Sequence, residues 1–301
     1  KGLRQVAPNT EFDFVDQGWD PRNMDPAKVA EAEKRAKEAD LNIVVAGEYM
    51  MRFRWTDRTD GEDTDRSDLD LVGLQNELIR KVAASGKPTI LILVNGRPLG
   101  VEWAAEHLPA IVEAWAPGMY AGQAVAEILY GKVNPSAKLA ITIPRSVGQL
   151  QMIYNHKPSQ YFHPYAVKPS TPLWPFGYGL SYTTYKYDDL KLSAKEVSQN
   201  QNVEVSVKVT NTGQRDGVEI VQLYIRDKYS SVTRPVKELK DFARVALKAG
   251  ESKVVTFTIT PDKLAFYDKK MKWIVEPGEF VVMAGASSAD ESLLKETFIL
   301  K

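Results

Sequence analysis

Thirteen residues, TDGEDTDRSDLDL (59–71), carry six carboxylates around Arg66 in a chain of 301 residues whose Lys+Arg and Asp+Glu totals are both 39. Acid-rich loops are commonly no more than solvated surface, so the question is which chemistry these residue types could perform. Phosphate binding would call for a glycine-rich turn at a helix N-terminus, and the chain has neither a G-x-G-x-x-G nor a Walker pattern. A calcium loop would draw on the oxygens of DGEDTDRSD, but Arg66 interrupts the ligands and the EF-hand spacing fails. A G-x-S-x-G nucleophile elbow is absent. What remains is proton transfer by a carboxyl, alongside sugar packing on the aromatic faces of the preceding EYMMRFRW (48–55). A general acid needs a carboxyl whose pKa is raised by its surroundings while its neighbours stay ionised. The loop can provide both, and residue types alone do not choose among its carboxylates.

The flanking elements must hold this loop. MDPAKVAEAEKRAKEAD (24–40) reads as a helix, with Asp25 at the N-cap, Pro26 in the first turn and Val29, Ala32, Ala36 and Ala39 in an apolar stripe. LNIVVAG (41–47) follows as a buried strand, and Leu74, Leu78 and Val82 mark a helix that stops at Gly86. PTILILV (88–94) and PAIVEAW (109–115) are further apolar strands; YAGQAVAEILYG (120–131) is a helix, and KLAITIP (138–144) is expected to close the series. Strands apolar on both faces, alternating with amphipathic helices, predict a mostly parallel sheet covered on both sides. The alternation opens on a helix, so the chain is expected to begin inside its own domain. Between Gly47 and Gly73 lie about 25 residues without helix or strand periodicity, too long for a mere connection. They leave the carboxyl end of a parallel strand, where open α/β sheets place their ligands.

From about residue 187 the period becomes two. Val203, Val205, Val207 and Val209 alternate with polar residues, as do Val255, Phe257 and Ile259, and further strands are expected at 218–226 and 278–285. Glycine-marked turns between short strands predict an all-β sandwich. Residues 145–186, rich in Pro, Tyr and Gly, read as an ordered linker whose aromatics pack between domains.

The charge balance gives no reason to expect a nucleic-acid or membrane partner, and no apolar run reaches the length of a membrane span. The first residues, KGLRQVAPNTEFDF, lack the apolar core of a signal peptide. There is no cysteine, and His107, His156 and His163 are scattered without metal-site spacing.

GEDTDRSDLDLVGLQNELIRKVAASGKPTILILVNGRPL (61–99) resembles the C-terminal α/β domain of glycoside hydrolase family 3, the β-glucosidases and β-xylosidases. EAWAPGMYAGQAVAEILYGKVNPSAKLAITIPRSVGQL (113–150) and PLWPFGYGLSYTTY (172–185) continue the pattern in order. VTNTGQRDGVEIVQLYIRD, RPVKELKDFARVALKAGES and EPGEFVVMAGASS are similar to that family's fibronectin type III-like domain. The resemblance implies an α/β sandwich with a mostly parallel sheet over 1–150, a linker over 151–186, and a fibronectin type III-like sandwich over 187–301. It implies a retaining two-carboxylate mechanism without a cofactor, acting on a β-glucoside or β-linked oligosaccharide in the periplasm or outside the cell. The family's acid/base falls on Glu62, ahead of Arg66, Leu69 and Leu71. Glu48 is the rival and is read as an anchor for the loop root, while Asp63, Asp65 and Asp68 are expected to bond loop amides or Arg66. Met50, Phe53, Trp55 and Arg66 are the substrate-binding candidates. Asn95 and Arg97 of NGRP, and Trp174 and Tyr178, read as structural. The nucleophile of such enzymes is an aspartate on an N-terminal (β/α)8 barrel, the expected partner domain, so this chain alone should not turn over substrate. The alternatives are a non-catalytic carbohydrate-binding or assembly module, and a nucleotide-binding α/β protein that the absent glycine fingerprint disfavours.

Overall fold

The computed structural model describes residues 1–49, 56, 58–159 and 165–301, which divide into two compact units. The first comprises residues 1–133 and 143–150. Its helix α1 (Gly2–Val6) lies against α5 (Ala121–Leu129), with Gly2 seated on the backbone of Gly122. Asp25 caps α2 (Pro26–Ala36), accepting from the Ala27 N–H at 2.8 Å, as its residue type and the following proline require. Strands β1 (Asn42–Gly47), β2 (Thr89–Val94) and β3 (Ala110–Glu113) pair in parallel in that order, with α3 (Gln75–Ala83) and α4 (Glu102–His107) as the crossovers. Parallel pairing of successive strands through helices buries the middle strand most: Leu91, Ile92 and Leu93 of β2 are buried, whereas Val45 of β1 is 63% exposed. The expectation of a sheet covered on both faces therefore holds for β2 and not for β1.

KLAITIP does not form the fourth strand. Residues 134–142 fold with the second unit, where Leu139 exchanges backbone hydrogen bonds with Gly177 and Tyr178. Within that unit the segment's lysine is paired with a buried acid. Lys138 donates to the Gly179 carbonyl at 2.9 Å and lies 3.3 Å from the carboxylate of Glu219, whose side chain is 3% exposed. The apolar run imitates a strand, while its lysine ties the segment to the second unit.

The second unit comprises 134–142 and the described residues of 151–301. One of its sheets joins β4 (Tyr185–Leu192), β6 (Val203–Asn211) and β9 (Ser252–Ile259). The other runs in the order β5 (Glu196–Val197), β13 (Leu293–Leu300), β12 (Gly278–Gly285), β7 (Gly217–Asp227), β8 (Glu238–Leu247). The alternating valines of β6 meet Val221, Leu223, Ile225, Phe280, Val282 and Phe298 in one core, the period-two pattern of a sandwich. A short α6 (Pro261–Leu264) leads into the hairpin of β10 (Phe266–Tyr267) and β11 (Trp273–Ile274). In β7 Val221, Leu223 and Ile225 enter the core, and Gln222 and Tyr224 on the opposite face are buried as well; a register shift against β8 falls between Leu223 and Tyr224. Tyr224 packs with Met283 and Leu293 on the opposite face, where Tyr154 stacks on Phe176 at 4.2 Å. These aromatics of the expected linker thus pack on the sheet of the second unit.

Replacing Lys138 by Met leaves Glu219 buried with Tyr187 as its remaining side-chain donor, at 2.8 Å. Removing one partner of a buried ion pair costs about 3 kcal/mol or more. We expect urea unfolding to register that loss for Lys138→Met, and the added change Glu219→Gln to recover most of it.

Candidate active site

The carboxyl ends of the three parallel strands carry Glu48, Asn95 and Glu113, and the acidic loop rises from the first. The chain leaves β1 through Gly47, at φ +145°, where a Cβ would fall 1.9 Å from the Val94 carbonyl oxygen, so only glycine fits. Gln75, at the start of α3, grips that residue on both sides. Its Oε1 accepts from the Gly47 N–H at 2.7 Å, and its Nε2 donates to the Gly47 carbonyl at 3.0 Å. The loop is closed at its neck by Tyr49 and Thr59. The Thr59 N–H donates to the Tyr49 carbonyl at 3.0 Å, and Thr59 Oγ1 accepts from the Tyr49 N–H at 2.9 Å. Met50, Phe53 and Trp55, the aromatic and sulfur candidates, lie outside the described residues.

Beyond the neck the chain makes a tight turn, with Asp63 in the left-handed region at φ +58°. Glu62 stands exposed on this turn, and its carboxylate has no hydrogen-bond or ion-pair partner among the described residues. Arg66 and Asp68, farther along the loop, are engaged. Arg66 lies 3.2 Å from Glu48 Oε1, and it donates to Asp68 at 2.6 Å and to the Asp70 carbonyl at 2.6 Å. Asp68 behaves as the sequence predicts, whereas Asp63 and Asp65 line a cavity of about 420 Å³ with Arg22, Arg58 and Arg66. Arg66, read as a substrate contact, is thus both an ion-pair partner of Glu48 and part of that cavity's wall.

Glu48 is the buried root of the site, its side chain 0% exposed. Burial and the nearby charge of Asp60 raise its pKa, and Arg97 and Arg66 oppose that shift. This agrees with its reading as an anchor, by ion pairs to two arginines. Glu113 carries no signal in the sequence beyond an acid at the end of an apolar strand. Burial lifts its pKa to about 7, against the N–H of Trp115 at 3.1 Å and the amide of Asn95 at 3.5 Å. Among the described residues no three His, Asp or Glu side chains converge to hold a metal ion, and no helix is long and apolar enough to cross a membrane.

Comparison with known proteins bears on this arrangement. The profile of the Glycosyl hydrolase family 3 C-terminal domain matches residues 1–182, and that of the Fibronectin type III-like domain matches 219–288. A β-xylosidase of Formosa agariphila is 42% identical over 301 residues, covering 99% of this chain and 40% of that protein. A periplasmic β-glucosidase of Salmonella typhimurium is 40% identical over 280 residues, or 90% of this chain and 36% of that protein. Among solved structures, a β-glucosidase of Erythrobacter marinus superposes with a TM-score of 0.85 at 41% identity, over 97% of this chain and 38% of that one. The chain therefore spans about two fifths of the length of the relatives it matches.

The ionisation of Glu113 sets a stability profile. The unfolded chain loses this proton near pH 4.5 and the folded chain near 7, so the folded state holds more protons between those values and stability falls as pH rises through them. Glu113→Gln removes that slope. Relative to the parent, it should gain on the order of 1–2 kcal/mol between pH 4 and pH 8, after discounting for the partial exposure of the group. Urea titrations at the two pH values measure it.

Proposed function

This chain belongs to glycoside hydrolase family 3, and we propose that it supplies the general acid/base, Glu62, of a retaining β-glycosidase that removes terminal non-reducing β-D-glucosyl residues. The observation that carries the reading is the stance of Glu62: at the position the family resemblance picks out, a carboxylate exposed and unpartnered among the described residues stands on a turn anchored to the carboxyl end of a parallel sheet. An acid that works near neutral pH needs desolvated or anionic surroundings, and Glu62 faces solvent in the first unit. Those surroundings come, in this proposal, with the sugar pocket of a (β/α)8 barrel domain, which also provides the aspartate nucleophile.

The reaction follows the retaining course. The barrel aspartate attacks the anomeric carbon while Glu62 passes its proton to the departing glycosidic oxygen. The ionised Glu62 then takes a proton from water as that water opens the glycosyl ester, which restores the acid and frees the aspartate. Met50, Phe53, Trp55 and Arg66 are the proposed contacts of the leaving group. Residues 1–301 without the barrel would hold one of the two carboxyls and would be inactive. Export to the periplasm or beyond is supported by the name of the Salmonella relative.

Glu62→Gln, placed in an enzyme that joins this segment to its barrel, tests the assignment. For an alkyl β-glucoside, whose leaving group needs a proton, kcat/KM should fall about 10²–10⁴-fold. For 2,4-dinitrophenyl β-glucoside kcat/KM should barely change, and added azide should raise kcat by replacing the base-dependent attack of water. Equal losses on both substrates, or none on either, would overturn the assignment.

A further inference from the structure

One side chain brackets the turn that carries Glu62. Arg97 Nη2 donates to the Thr59 carbonyl at 3.3 Å and to the Thr64 carbonyl at 2.9 Å, one on the way into the turn and one on the way out. Its Nε meets Asp60 Oδ1 at 3.2 Å and Glu48 Oε1 at 3.3 Å. Arg97 is held in turn from behind. Asn95, fully buried, donates from Nδ2 to the Arg97 carbonyl at 2.8 Å, and its own N–H reaches the Trp115 carbonyl at 3.3 Å. The Asp60 carboxylate, at the start of the turn, packs directly on Gly96, where a Cβ would fall 2.0 Å from Asp60 Oδ2.

We infer that Arg97 is a positioning residue for the acid/base, setting the height and tilt of the 59–64 turn, and that Gly96 is the seat on which the turn rests. The inference rests on the reading of Glu62 given above. The geometry suits arginine and not lysine. A planar guanidinium can reach two carbonyls and two carboxylates with fixed, divergent N–H groups, whereas an ammonium offers a single centre. With Asn95 holding its main chain and Glu48 its head, Arg97 has little freedom, and the turn inherits that restriction. A displacement of about 1 Å in a reacting group can cost on the order of 10²-fold in rate.

A brace that served folding alone would lower stability and affect every substrate alike, so the test must separate the two roles. Arg97→Lys keeps a cation beside Glu48 and loses the bracket. Gly96→Ala keeps every charge and obstructs the seat. Both are made in the barrel-containing enzyme beside Glu62→Gln. We expect kcat/KM for the alkyl β-glucoside to fall about 10–100-fold in each, little change for 2,4-dinitrophenyl β-glucoside, and a rise in kcat with azide. Hydrogen exchange of the 59–66 amides should quicken in both. Equal loss on the two substrates, unchanged kinetics, or unchanged exchange would overturn the inference while the leaving-group signature of Glu62→Gln stands. If Glu62→Gln itself lacks that signature, both readings fall, beginning with the assignment of Glu62.

Discussion

A carboxylate with no access to water governs the first unit. Glu48 follows directly on β1, with its side chain 0% exposed, and a charge so placed is tenable only with close countercharges. Arg66 and Arg97 supply them, one from the far side of the acidic loop and one from the turn after β2. Both arginines converge on one oxygen, which ties the described stretch 58–70 to the strand end. Arg66 fixes its exit through Asp68 and Asp70, and Arg97 fixes the crest through Asp60. Residues 58–70 are thereby held as a platform, with the carboxylate of Glu62, like those of Asp63, Asp65 and Asp70, outside the network among the described residues.

The second unit relies on the same physics for a different end. Lys138 meets the buried Glu219, a pair that ties the segment 134–142 to the sandwich. In both units a buried acid specifies the path of chain remote in sequence. Apolar burial provides most of the stabilisation, but it is indifferent to which segment comes to rest where. The ion pairs remove that indifference.

How much of this could be read from residues alone follows the same line. Strands β1, β2 and β3 and the capped helix α2 were legible, because apolar runs and an Asp-Pro start are local signals. So were the alternating strands of the sandwich, whose valines repeat with the pleat. KLAITIP was misleading because its Lys138 pairs with the buried Glu219, 81 residues away in sequence and beyond any local pattern. The burial of Tyr224 leaves no mark in the local period, because Tyr154 and Phe176, which cover its face, lie far away in sequence. At the site, Glu62 was named from a family pattern and the Glu48 anchor from its place at the end of β1, whereas Glu113 was not singled out. Its burial is created by the folding of neighbouring strands and leaves no mark in AIVE itself.

The account divides one reaction between a carboxyl on this chain and a carboxyl elsewhere, and trapping the covalent intermediate tests that division most directly. The Glu62→Gln enzyme, joined to its barrel, is mixed with 2,4-dinitrophenyl β-glucoside, quenched in acid, digested and mapped by mass spectrometry. With the base removed, the second step is slow, and the glucosyl ester should accumulate on an aspartate of the barrel. A glucosyl group on any residue of 1–301, or release of dinitrophenol with no accumulated ester, would contradict the assignment.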